Sequence, residues 1–134
     1  MSLAIEQRER EGIVILDLKG RITAGEEATL LREKLRELAA GGMQKCIVNL
    51  QGVDYIDSTG LGTLVVCFTS LRKQGGKLKL LNLNRRNIEL LVLTKLTTVF
   101  EIFNDEQDAV NSFFPGREIK RFDILSFVKE QASG

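Results

Sequence analysis

The stretch YIDSTGLG, residues 55–62, sets Asp57 directly before Ser58 and Thr59 and follows them with Gly60 and Gly62. A serine beside a carboxylate can act as a nucleophile, as the acceptor of a phosphoryl group, or as the cap of a helix. Nucleophilic catalysis needs a base within hydrogen-bond reach of the hydroxyl, and the chain contains no histidine. A Ser-His-Asp triad and the usual imidazole general base are therefore excluded. With no histidine and only two cysteines, Cys46 and Cys67, outside any CxxC spacing, a zinc site is not expected. The carboxylates fall mostly on the solvent faces of predicted helices rather than in a cleft that would hold a catalytic cation. The residue types point away from an enzyme, a metal and a cofactor.

The surrounding chain sets further bounds. Its 134 residues are 43% apolar and 28% charged, enough apolar material for one globular domain with a buried core. Basic and acidic residues are interspersed and leave a formal net charge of +1, so no single-sign run exists to attract nucleic acid or an anionic membrane. The start, MSLAIEQRER, lacks a basic-then-apolar pattern, and no apolar run approaches the ~20 residues of a membrane span. A cytoplasmic location is expected. Cys46 and Cys67 each sit inside an apolar run, KCIV and LVVCF, and read as buried packing residues.

The spacing of apolar residues predicts the elements that must hold residues 55–62 in place. LAIEQRER and IVILDLKG read as two strands joined by Glu11 and Gly12 in a hairpin. Thr23 opens a Thr-x-x-Glu capping box, and Ala28, Leu31, Leu35 and Leu38 follow at helical spacing up to Gly41 and Gly42. KCIVNL reads as a short strand, and the turn-prone QGVDYID links it to Ser58. Leu61, Leu64, Val65, Phe68 and Leu71 mark a second helix closed by Gly75 and Gly76. KLKLLNL predicts a strand, Asn84 the cap of a third helix through Ile88, Leu91 and Val92, TTVFEIF a last strand, and Asp105 the start of a final helix that buries Ala109, Val110 and Phe113. Alternation of strands and helices after the hairpin implies parallel crossovers and an α/β sheet.

In that context Ser58 falls at the cap of the second helix, where first-turn amides have no intrahelical partners. Glycine in the first turns costs about 1 kcal/mol relative to alanine, so Gly60 and Gly62 imply a close approach. Either a neighbouring strand packs against them, or a partner does.

With those elements in place, YIDSTGLGTLVV, preceded by KCIVNLQGV and followed by RKQGGKLKLLNL, resembles the signature of the STAS-domain family, and within it the anti-sigma factor antagonists. LDLKGRIT and LTKLTTVFEIFNDEQDAVNSF extend the resemblance from about residue 3 to residue 114. The resemblance implies a four- to five-stranded mixed sheet with about four helices packed mainly on one face, and no enzymatic activity. It implies that Ser58, with Thr59 as second candidate, is phosphorylated by a serine kinase that is also the anti-sigma factor. It implies too that Asp57, Thr59, Gly60, Leu61, Gly62 and Thr23 contact that partner. The unmodified protein would hold the kinase, and a serine phosphatase would restore it. Many members of the family carry acidic residues where this chain has Thr23 and Asn49, so two acidic groups expected near Ser58 are missing. A constitutive interaction or scaffold module, of the stressosome kind and independent of phosphorylation, is the alternative.

The resemblance assigns residues 1–116 to the domain and leaves 117–134 as a C-terminal extension. There Ile119, Phe122, Leu125 and Val128 recur every three residues and predict a short amphipathic helix. An exposed stripe of this kind invites aggregation, so it should pack on the domain of a monomer or against a second copy in a homodimer. Burying four such side chains contributes about 6 kcal/mol before ordering entropy is subtracted. Deletion of residues 117–134 should lower the melting temperature or dissociate a dimer, and calorimetry with size-exclusion chromatography checks both; an unchanged melt and size would show that the tail carries no packing role.

Overall fold

A computed structural model describes residues 3–120. Strand β1 (Leu3–Arg10) and strand β2 (Ile13–Ile22) form the expected antiparallel hairpin. Glu11 and Gly12 turn it with φ of 51° and 79°, the paired positive values of a tight two-residue turn. Helix α1 (Glu26–Ala40), strand β3 (Lys45–Ile56), helix α2 (Ser58–Lys73), strand β4 (Lys77–Leu81) and helix α3 (Arg85–Leu93) follow in alternation. Strand β5 (Ile102–Phe103) and helix α4 (Glu106–Asn111) complete the described elements. The sheet order is β1-β2-β3-β4-β5, antiparallel in the first pair and parallel thereafter.

The two sheet faces are covered unequally. Leu16, Ile22, Val48 and Ile56 on one face meet Leu31 of α1, Leu64 of α2 and Leu91 of α3 in the larger core. On the other face Ile13, Ile15, Ile47, Leu81 and Phe103 lie under Ala109 and Val110 of α4. Lys79 is nearly fully buried on this second side, with Nζ 2.9 Å from Ser112 Oγ, 3.1 Å from the Ser112 carbonyl and 3.1 Å from Glu101. The ring of Phe113 lies 4.4 Å from the same ammonium. A cation at the carbonyl end of α4 suits the helix dipole and ties that end to β4. Cys46 and Cys67 are both buried and free, and burial pushes the Cys46 thiol up to about 12.

Three expectations require correction. The stretch 51–56 is strand rather than turn: β3 runs to Ile56, and two register shifts against β2 absorb its extra residues, after which Ile56 pairs with Ile22. Its turn-forming residues are accommodated in bulges. In TTVFEIF only Ile102 and Phe103 are strand, because Leu96–Thr98 forms a 3-10 turn after Lys95 at φ 62°. Phe100 then turns into the core edge-on to Phe68, with ring centroids 5.3 Å apart. Val92, expected on the inner face of α3, is exposed. Beyond α4, Arg117 stacks 4.1 Å over Phe114 and pairs with Glu11 at 2.9 Å. Ile119 is half-buried, while the predicted tail helix with Phe122, Leu125 and Val128 lies outside the described residues.

A charged cluster joins the hairpin to α4. Arg8 pairs with Asp17 through Nε at 2.7 Å and donates to Glu106 through Nη1 at 3.0 Å, and Arg10 reaches Glu106 at 2.7 Å. Hydrogen bonds from Arg8 hold the Glu106 carboxyl down at about 2 and lower that of Asp17. A carboxylate with a lowered folded-state value stabilises the fold above its ordinary value, and the contribution is lost as pH falls. Stability should therefore decline as pH drops from 4.5 towards about 2. Glu106→Gln should cost about 1 kcal/mol at neutral pH, after allowance for solvent screening, and flatten that acid limb. Urea denaturation of both proteins across this range measures it; parallel pH profiles would contradict the assignment.

Candidate functional site

The start of α2 is built around Asp57. Its Oδ1 accepts from the Gly60 amide at 2.7 Å, and its Oδ2 accepts from the Ala24 amide at 3.2 Å. The Asp57 amide in turn donates to the Ile22 carbonyl at 3.2 Å. Asp57, not Ser58, is thus the N-cap of α2. Both residue types cap well, but the carboxylate has a second oxygen for the amide of Ala24, which a hydroxyl at this position does not offer. Ser58 becomes the first helical residue, and both it and Thr59 are exposed. Their amides precede the first intrahelical bond, which runs from the Leu61 amide to the Asp57 carbonyl at 2.9 Å.

The capping box expected at Thr23 does not form. Helix α1 starts after Gly25, an N-cap at φ 96° without a side-chain bond. The Thr23 hydroxyl donates to the Glu27 carboxylate at 2.7 Å instead. Residues 23–25 are held from both sides: the Thr23 and Gly25 carbonyls accept from the Ala28 and Thr29 amides of α1, both at 3.1 Å, while the Ala24 amide donates to Asp57. Thr23 thus precedes the one residue, Ala24, whose amide meets Asp57.

The two glycines separate. A Cβ on Gly60 would overlap the Ile22 carbonyl, so this glycine is required by contact with β2. Leu61 is likewise buried and faces the core. Gly62 has nothing within 4 Å of where its Cβ would stand, and it is exposed. The exposed surface therefore consists of Ser58, Thr59 and Gly62, with Asp57 and Thr23 half-buried beside them.

Several neighbours were not evident from the sequence. Ile22 and Ala24 take part only through backbone atoms, for which no side-chain signal exists. Tyr55, the chain's one tyrosine, is partly exposed, and the Arg86 guanidinium lies 5.4 Å from its ring centroid. Asn84, the expected cap of α3, accepts from the Asn87 amide at 2.8 Å, and its own amide donates to the carbonyls of Val53 and Asp54, both at 3.2 Å. The start of α3 is thereby fastened to β3 just ahead of Ser58.

Residues 4–109 match the STAS domain. The chain belongs to the STAS domain family. The anti-sigma-B factor antagonist of Bacillus subtilis is 39% identical over 102 residues, covering 76% of this chain and 92% of that protein. The Thermotoga maritima protein TM1081 superposes with a TM-score of 0.76 at 25% identity, over 81% of this chain and 92% of that one. SpoIIAA, an anti-sigma factor antagonist of Bacillus, is known in unphosphorylated and phosphorylated forms. These superpose with TM-scores of 0.62 and 0.64 at 19% identity, over 84% and 82% of this chain and 99% of SpoIIAA in each case.

In this STAS domain the two positions expected to be acidic are not equivalent. Thr23 adjoins α2, but Asn49 does not stand near Ser58, which corrects the expectation. Its strand partner Asp17 is five residues from Ile22, the partner of Ile56, a separation of about 16 Å at ~3.3 Å per residue. Asn49 donates to Asp17 at 2.8 Å and accepts from the Gln51 amide at 3.2 Å and from Asn82 at 3.3 Å. An aspartate there would set two carboxylates side by side, so the amide suits its neighbour.

The glycines of this STAS domain should respond oppositely to alanine. Gly60→Ala should destabilise the fold by at least about 2 kcal/mol, because the new methyl meets a backbone carbonyl that cannot swing away. Gly62→Ala should stabilise it by roughly 0.5–1 kcal/mol through helix propensity alone. Chemical denaturation of the two variants tests both signs.

Proposed function

We propose that the chain is a cytoplasmic anti-sigma factor antagonist that binds an anti-sigma factor with serine kinase activity when unmodified, and is released when that kinase phosphorylates Ser58. The observation that carries this reading is the position of Ser58: its hydroxyl is exposed on the first residue of α2, while Asp57 holds the helix start. Modification at Ser58 therefore leaves the cap in place. A phosphate there meets the unpaired amides and the positive end of the helix dipole, so the folded domain tolerates it. The existence of SpoIIAA in both forms is consistent with such tolerance in this fold, and the name of the Bacillus subtilis relative supports the antagonist role.

The consequence falls on the partner. Two added negative charges beside Asp57 must be desolvated in any interface formed there, which costs several kcal/mol unless new pairing compensates. A loss of 3 kcal/mol weakens binding about 150-fold, enough to exchange partners.

Incubation with ATP and each serine kinase of the host, followed by intact-mass measurement, identifies the partner and the modified residue. Calorimetry with that kinase should then show Ser58→Asp binding at least ~100-fold more weakly than the unmodified protein. Ser58→Ala should bind as the unmodified protein does and differ from it in stability by less than about 0.5 kcal/mol, because Ser58 is not the cap. Equal affinities for the three folded proteins would leave the constitutive module as the function.

A further inference from the structure

A groove of about 200 Å³ runs between α1 and α2, away from Ser58. Leu35, Ala39, Met43, Cys67 and Leu71 form its apolar wall, and Val66, half exposed, carries that wall to the mouth. One end is closed. The Met43 amide folds back onto the Leu38 carbonyl at 3.0 Å, and Gln44 Nε2 donates to the Gln74 carbonyl at 3.3 Å. Arg32 and Arg36 from α1, with Ser70 and Gln74 from α2, bring polar groups to the same space.

The charge arrangement of α1 breaks a local rule at this groove. Arg32 and Arg36 are four residues apart, and so are Glu33 and Glu37. Like charges at this spacing destabilise a helix, and neither arginine has an ion-pair partner among the described residues. Cys67 does not supply the missing charge. Burial pushes its thiol up to about 11, against the pull of Arg32 and Arg36, so it is uncharged near neutral pH. Two guanidinium groups thus face an apolar groove with no carboxylate among its described lining residues, and departures of this kind from local consistency are expected at functional sites.

We infer that this groove binds a small amphipathic anion, an apolar body carrying one carboxylate. The planar donor forks of Arg32 and Arg36 match a carboxylate in two-point pairing. Ser70 and Gln74 add neutral donors, and the aliphatic wall takes the body. The groove, open at its mouth, has room for the body of a medium-chain fatty acid.

The test uses the full chain, isotopically labelled, and octanoate below its micellar concentration as probe. Amide shifts should saturate at residues 32–39 and 66–74, with a Kd of roughly 0.1–1 mM for a ligand of this size. Acetate, which lacks the body, and 1-octanol, which lacks the charge, should bind at least about tenfold more weakly. The double variant Arg32→Gln/Arg36→Gln should lose at least about tenfold in octanoate affinity with a melting temperature no lower than that of the parent, since the like-charge repulsion is relieved. Ala39→Leu, which fills the groove and leaves both charges in place, should abolish binding. Absence of saturable shifts, equal affinity for 1-octanol, shifts confined to other surfaces, or binding unaffected by both variants would overturn the assignment.

Discussion

The carboxylate of Asp57 is the constraint on which the rest of the site depends. It joins the segment just after β2, at Ala24, to the first turn of α2, at Gly60. This double acceptance brings the two backbones so close that only glycine fits at position 60, against the Ile22 carbonyl. It also relieves Ser58 of any structural duty. The exposed hydroxyl and the group that holds the helix start fall on adjacent residues.

The sheet delivers these segments to one another. Parallel pairing of β2 with β3 has to carry both strands to their ends at Ile22 and Ile56, although β3 is the longer. The register shifts resolve the difference and leave Ile22 and Ile56 side by side, both buried under the helices. Without them Asp57 would not meet Ala24. The opposite face is closed at one end by α4, held by the buried Lys79 beneath its carbonyl terminus and by Glu106 against Arg8 and Arg10. Beyond α4, that face carries the hydrogen-bonded side chains of Asp17, Asn49 and Asn82. One sheet thus supports a dry core on one side and a partly polar surface on the other.

The same physics separates the two features of α2. At its start, unpaired amides and a helix dipole favour negative charge beside an exposed hydroxyl. Along its middle, it shares with α1 an apolar groove whose charged lining residues, among those described, are Arg32 and Arg36. The first suits a covalent phosphate and the second a diffusible carboxylate, because a helix start offers oriented amides whereas a helix face offers side chains.

The sequence alone determined the element types, since each long element has a periodicity of its own. Leu31 and Leu35 at helical spacing, and the apolar runs of β2 and β4, carry enough local signal to be read without a partner. It also settled the exclusion of imidazole chemistry and the kinship with STAS domains, which rest on residue identity. Asn84 and Asp105 were readable as caps because each closes a loop within its own helix start. Tertiary structure decided what depends on contacts between distant segments. Asp57 rather than Ser58 caps α2, where its second oxygen also meets the Ala24 amide; Thr23 does not cap α1 because Gly25 takes the N-cap and the Thr23 hydroxyl turns to Glu27. Gly60 is fixed by a backbone carbonyl, Asn49 is set apart from Ser58 by the length of β3, and residues 51–56 become strand because β2 is there to pair with them. Backbone groups look alike at every position in a sequence, so which ones meet is known only once the chain has folded.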